Sequence, residues 1–310
     1  MCPRQARSYT FRRRRKHGRH DDGGPPRKEA LGARRRGRPR RPGPTGSARE
    51  RRRPGGMTAI TPAERILIDL GISQPKEIDL DAIAWTRGAV VNYRPMDGCE
   101  ARIIGTKRKA VISVNSLSMP ERRRFSLAHE LGHWHHHRGR ILFCDKDEVC
   151  NFRDDALNPE RQADDFASDL ILPDFMVTPR VRKMKRPTLS AIRELADEFR
   201  VSDTATAVKI ACLNRFPIIV ICHGKTRRRW FRRSKMIQNW WFSSDTLDRE
   251  SYAGHMLFNG EAEQNFPRKT PAEAWFSFKG CDRSEVEEQS FLLPNDEILT
   301  ILKLPDEAVA

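Results

Sequence analysis

What the 310 residues lack narrows the field first. No apolar stretch approaches the roughly 18 residues that a membrane-crossing helix needs, so no membrane role is expected. Cysteines are few and show no metal or redox spacing: seven, at 2, 99, 144, 150, 212, 222 and 281, with no C-x-x-C pair. An odd count and no apolar secretory signal read as reduced thiols, which places the protein in the cytoplasm. Cys144 and Cys150 are read as ordinary loop side chains. Acidic residues are scarce at one end only. Residues 1–56 hold 20 Lys+Arg against 4 Asp+Glu, a net of +16; residues 57–310 hold 38 against 37, a net of +1. The formal charge of +17 therefore belongs to an arm, and the remainder is not a basic fold built around nucleic acid.

That arm is rich in Arg, Gly and Pro and nearly free of large apolar side chains, so it cannot bury enough surface to offset chain entropy and is expected to be disordered. Three readings compete: a basic tail on nucleic acid, a targeting segment, and translated upstream sequence ahead of a start at Met57. The last is the one adopted, because Met57 directly precedes the first patterned segment.

What is present centres on Arg124-Phe-Ser-Leu-Ala-His129-Glu130-Leu-Gly-His133-Trp. Residues four apart share a helix face, so His129 and His133 can grip one metal ion with Glu130 beside its open position. Imidazole suits zinc, and three protein ligands plus a water make a catalytic site. An ion so held lowers the pKa of its water to about 7, and a neighbouring carboxylate can take that proton and return it to a leaving amine. Glu130 would have that role. Gly139 stands where a metzincin has its third histidine, so that class fails. A second helix is announced by Asn158 as N-cap and Pro159 in its first turn, and Pro173 closes it. Glu160, Ala163, Asp164 and Ala167 share one of its faces, and the alanines permit close approach to the first helix. Glu160 becomes the third ligand, and Asp164 could orient a ligand histidine through its other ring nitrogen. Two alternatives stay open: Glu160 as a helix-start acid, and a carboxylate of the loop from 138 to 157 as ligand in its place.

These segments, with Ile112-Ser-Val114-Asn115 ahead of them and Phe166-Ala167 to Pro173 behind, resemble the ImmA/IrrE family of metallo-endopeptidases over about residues 60–215. The resemblance implies a bacterial zinc peptidase that cleaves a helix-turn-helix repressor and releases genes of a mobile element or stress response. By the motif match, His129, His133 and Glu160 would be the ligands and Glu130 the acid/base. Asp164 stands where the family more usually has Asn.

The expected fold is α+β: a zincin-like domain over 57–180, a helix-turn-helix-like segment over 181–215 and a small α+β domain over 216–310 of open role. The zincin-like part begins with helices over 62–72 and Leu80 to Trp85, then apolar alternation at 90–95, 100–104 and 109–115 that reads as a small antiparallel sheet. An exposed edge of such a sheet could take substrate as an added strand. Tyr93 on it is a candidate oxyanion donor, with packing the commoner use of a strand tyrosine. Ser118 and Pro120 start the metal helix. His137, four residues past His133, is assigned hydrogen bonding near core or substrate rather than ligation.

From Thr188 to Asn214 two helices meet about a short turn, but the second carries only Lys209 and, just beyond, Arg215 as bases, so packing is preferred to DNA contact. Strands are expected at Ile218 to Cys222, Arg228 to Arg232, Glu273 to Phe278, Glu288 to Leu292 and Ile298 to Leu304, with a helix near 245–257. Lys225 to Arg233 interleaves bases with aromatics; a solvated hairpin with a protected edge is preferred there to nucleic-acid binding. Nucleic acid could be held only there or on the arm. The sequence thus points to an intracellular endopeptidase with one Zn2+ (Mn2+ as the alternative ion) and a repressor as protein substrate. The competing reading is a DNA-binding or antitoxin-like regulator with a non-catalytic zincin shell.

Overall fold

The computed structural model describes residues 59–138, 158–294 and 296–310. The basic arm, Cys144, Cys150 and the loop carboxylates Asp145 to Asp155 lie outside the described residues.

Helix α1 (Pro62–Asp69) starts at a capping box in which Thr61 Oγ1 accepts from the Glu64 amide at 3.3 Å and the Glu64 carboxylate accepts from the Thr61 amide at 3.0 Å. The buried Glu64 side chain also accepts from the Phe175 amide at 3.3 Å, so one carboxylate starts α1 and fixes a later helix to it. Helix α2 (Leu80–Thr86) is capped by Asp79. Three strands follow, β1 (Ala89–Arg94), β2 (Ala101–Gly105) and β3 (Ala110–Asn115), in the order β1-β3-β2. The β2–β3 pair is antiparallel, but β1 pairs with β3 in parallel. The small sheet is therefore mixed, not wholly antiparallel as alternation suggested. A parallel pair needs a crossover of about a dozen residues or more, and the segment 95–109, with β2 inside it, supplies one.

Helix α3 (Pro120–His136) carries Pro120 at its first position and Met119 as an uncapped N-cap residue. Ser118 lies one residue earlier and donates its hydroxyl to the Glu100 carboxylate instead of capping the helix. Helix α4 (Pro159–Ile171) is capped by Asn158, whose Oδ1 accepts from the Glu160 amide at 3.0 Å. Helix α5 (Asp174–Lys183) follows Pro173. Helices α6 (Leu189–Phe199) and α7 (Asp203–Cys212) are capped by Thr188 and Ser202 and joined through Arg200, at a left-handed φ of 55°. The Lys209 ammonium on α7 is buried, 2.9 Å from Asp169 of α4 and 2.7 Å from Asp174 of α5. Burial alone would lower its pKa; the two carboxylates outweigh that and raise it. The one base of α7 is thus spent holding helices together.

A five-stranded antiparallel sheet completes the fold: β4 (Ile218–Gly224), β5 (Arg228–Arg233), β6 (Arg268–Pro271), β7 (Glu285–Leu293) and β8 (Glu297–Lys303), in the order β5-β4-β8-β7-β6. Strand β4 is buried along its whole length, which is why Ile218 to Cys222 reads as an unbroken apolar run. Its Val220 and Cys222, with Leu299 and Ile301, join the core of helices α1–α7; Ile219 and Ile221 face a second core with Trp241, Trp275 and Phe276. The expected strand from Glu273 to Phe278 is absent. Ala272–Ala274 is a single 3-10 turn, Trp275 and Phe276 fill the second core, and the edge strand lies earlier and ends at Pro271, which has no amide hydrogen for the ladder. The expected helix near 245–257 is reduced to a turn at Tyr252–Gly254 that runs into a π turn at His255–Asn259.

Candidate metal centre

Helix α3 is anchored at both ends of its functional stretch. Arg124 Nη2 donates to the Ile78 carbonyl at 2.9 Å, and Trp134 Nε1 donates to the Arg87 carbonyl at 2.8 Å. Arg200 Nη2 reaches the same Ile78 oxygen at 3.2 Å. Burial, with the Arg200 charge beside it, brings Arg124 down to about 10. Neither tether is visible as a motif, because each joins a side chain to a backbone group distant in sequence.

Between these tethers α3 meets α4 at Gly132. A Cβ there would stand 2.8 Å from Ala163 Cα, 2.9 Å from Ala163 O and 3.2 Å from Phe166 Cβ, so the helices approach more closely than any side chain at 132 allows. Both partners are small for the same reason. Gly132→Ala is expected to force α4 outward: overpacking of this kind costs about 1–3 kcal/mol, or about 2–4 °C of Tm per kcal/mol in a chain of this size. Thermal unfolding and metal stoichiometry of this variant check the claim, and an unchanged Tm with full metal content would refute it.

The close approach brings three side chains to one point. His129 Nε2 and His133 Nε2 are 3.0 Å apart, Glu160 Oε2 is 3.2 Å from the first and Glu160 Oε1 3.3 Å from the second. Ligands of a tetrahedral zinc ion at about 2.0 Å are separated by about 3.3 Å, so the spacing fits an ion between them. His129 Nδ1 lies 2.9 Å from Asp164 Oδ1. The carboxylate has no hydrogen to give, so Nδ1 donates and Nε2 turns a lone pair toward Glu160 and His133. Lone pairs and a carboxylate crowded together repel unless a cation sits among them, so the donor set fits a divalent ion. Without an ion, protonation of the histidines would take the cation's place: burial works to raise the Glu160 carboxyl, and the histidines' hydrogen bonds and charge would outweigh it and hold the group well below the usual range.

Glu130 is 1% exposed, and its Oε2 has no hydrogen-bond partner among the described residues. Burial is the main cause that raises its carboxyl above the usual range; Glu160 adds to the effect and the two histidines oppose it. A buried, unpartnered carboxylate flanked in sequence by the ligand pair is available to a water or a substrate proton.

The remaining histidines divide. His137 is buried and its Nδ1 lies 3.4 Å from His133 Nδ1, behind the ligand group and outside it. His135 stacks on Phe166 with centroids 5.1 Å apart and His136 meets the same ring edge-on at 5.6 Å. Burial first, then the charges of His136 and Arg87, brings His135 down to about 4. Tyr93 is not brought to the cluster: it sits on β1, half exposed, and donates its hydroxyl to Asp81 Oδ2 at 3.0 Å. Burial and then Asp81 push that phenol up to about 12.

Residues 86–211 match the family model of the IrrE N-terminal-like domain, a peptidase family. Among solved structures, a Mycobacterium tuberculosis transcriptional regulator is similar, with 17% identity, coverage of 78% of this chain and 86% of its own, and a TM-score of 0.52. That identity makes it a likeness of fold. No curated protein matches. Among the described residues no helix is long and apolar enough to cross a membrane.

Proposed function

We propose, from the premise that this chain carries an IrrE N-terminal-like peptidase domain at residues 86–211, that it is a zinc-dependent endopeptidase whose substrate is a helix-turn-helix repressor. The observation that carries the reading is the convergence of His129 Nε2, His133 Nε2 and Glu160 within 3.3 Å of one another, with the buried Glu130 carboxylate next to His129 in the same helix.

His129, His133 and Glu160 would hold the ion, Asp164 would fix the His129 tautomer, and His137 would support His133 from behind. The ion, zinc or alternatively manganese, supplies Lewis acidity: it acidifies a water and polarises the scissile carbonyl. Glu130 takes the proton of the attacking water and delivers it to the departing amine. Its burial, which raises the carboxyl above the usual range, favours holding the proton between the two transfers. Strand β2 is an edge of the three-stranded sheet, and an extended peptide added along it would gain main-chain hydrogen bonds. Cleavage of the repressor would derepress mobile-element or stress-response genes. The helix-turn-helix of this chain is no competing DNA reader, because Lys209, the one base within α7, is enclosed by Asp169 and Asp174.

The test is incubation of the full chain with the small helix-turn-helix protein encoded nearest its gene, with and without a chelator. Cleavage at a single bond is expected, abolished by metal removal and restored by adding zinc or manganese. A metal-loaded chain that binds the protein and leaves it intact would overturn the peptidase reading in favour of a non-catalytic shell.

A further inference from the structure

Behind the metal helix lies a cleft that the proposed chemistry does not use. Ile66 of α1, Ile83 of α2, Leu131 of α3 and Phe166 and Leu170 of α4 line its inner end, all of them buried. About 100° of turn per residue carries Leu131 and Trp134 round α3 to the side away from His129, so the cleft and the ligand histidines lie on different sides of the helix. The cleft holds about 230 Å³ counted to its open mouth, below the roughly 300–1,000 Å³ of a pocket for a drug-sized molecule. Only a short ligand fits.

The wet end of the lining is basic: Arg87, half-buried just past α2, and Arg138, exposed just past α3. Arg138 is held there. Its Nε donates to the Trp134 carbonyl at 3.1 Å, its Nη2 lies 3.4 Å from the Arg87 carbonyl, and its guanidinium carbon is 4.5 Å from the Trp134 ring centroid. Neither Arg138 Nη1 nor the Arg87 guanidinium has a hydrogen bond or ion pair with a described residue. Loss of hydration first, and the charge of Arg87 second, lower the pKa of Arg138, with no acid opposing them. By contrast Arg180 and Arg193 each meet a carboxylate, Glu198 and Glu263. Two like charges are thus gathered at the end of an apolar cleft without a counter-charge.

We propose that this cleft binds a short aliphatic carboxylate, with its oxygens between Arg87 and Arg138 and its tail against Ile83, Leu131 and Leu170. The guanidiniums alone would accept any anion, and the walls alone any small apolar molecule. Together they select a molecule that is both. Such a ligand would touch all four helices of the cleft at once and brace the metal helix from behind. The inference does not depend on the peptidase reading.

The test follows thermal unfolding of the metal-loaded full chain in sodium butyrate, with sodium chloride, sodium acetate, butylammonium chloride and butanol compared at matched concentration and ionic strength. Butyrate is expected to raise Tm saturably, by about 3–6 °C at ten times a Kd of about 1 mM. Acetate, two methylenes shorter, should bind about tenfold more weakly, and chloride, butylammonium and butanol should give no saturable shift. Arg87→Gln with Arg138→Gln should weaken butyrate binding by about tenfold or more. The ligand-free Tm should be kept, since Trp134 bonds the Arg87 backbone and not its side chain. Residues 1–56 are unaltered in that variant, so butyrate held by their bases would survive the change. Butyrate on the ion would vanish with the ion, so the chelator-treated chain should show an equal shift. If the double variant melts low, butyrate against butylammonium on the wild-type chain still decides the sign of the charge. The proposal is overturned by no shift in butyrate, by equal shifts in butanol or butylammonium, by acetate binding as tightly as butyrate, by a double variant that binds as wild type does, or by binding that disappears with the metal.

Discussion

Glu130→Gln should leave the metal in place and reduce cleavage of the repressor by about 10⁴-fold, the upper end of what a general acid–base group contributes, because one residue serves as base and then as acid. The substitution keeps the shape and removes only the ionisable oxygen. It should not unfold the protein. Glu130 is raised by burial, so in the metal-free chain its ionised form opposes folding: the folded state binds the proton more tightly than the unfolded one, and stability falls as pH rises through that range. Gln carries no such charge, and the metal-free variant should be at least as stable as wild type at neutral pH. Single-turnover cleavage, metal content by mass spectrometry and melting at several pH values test the three parts separately. Cleavage within tenfold of wild type would remove Glu130 from the chemistry whatever the metal content.

Glu160→Ala should lose the ion. Loss of a group behind a ligand typically costs about 10–100-fold in metal affinity, and loss of a ligand itself should exceed that. The start of α4 would survive the change, since the cap bond from Asn158 is to the Glu160 backbone amide and not to its side chain. A drop in metal content with an unchanged helical signal is therefore the expected pair of results, read by competition with a chelator and by circular dichroism. If the variant binds the ion as tightly as wild type, the ligand must be sought among the carboxylates of residues 145–155.

The parts of this architecture that were legible in the sequence are those set by local periodicity. Helical spacing alone puts His129 and His133 on one face, and Asn158-Pro159 marks a helix start wherever it packs. Alternation identified most strands of the larger sheet but could not name their partners, so the parallel pairing of Ala89–Arg94 with Ala110–Asn115 was not readable. The run Glu273 to Phe278 is apolar enough to read as a strand, but the adjacent Trp275 and Phe276 both fill one core, which a strand does not allow, and the chain there turns. The buried pairing of Lys209 was not readable because its carboxylate partners lie on other helices, some forty residues away. Gly132 gave a sign of close approach only once Ala163 stood opposite it.

The continuity of the main core also bears on modularity. The segment that matches the IrrE N-terminal-like model begins at residue 86 and ends at 211, but its hydrophobic interior does not. Ile66 and Leu67 enter that interior from before the segment, while Val220, Leu299 and Ile301 enter it from after. The amide of Leu189, at the start of α6, is bonded by Gln289 Oε1 at 2.8 Å from a strand a hundred residues later. Excision of the matched segment would strip apolar cover from Ile192 and Ile210 and leave that amide without its acceptor. What is inherited as a family unit is here not a detachable part, and an exchange of catalytic segments between relatives would have to carry the flanking helix and the terminal sheet along with it.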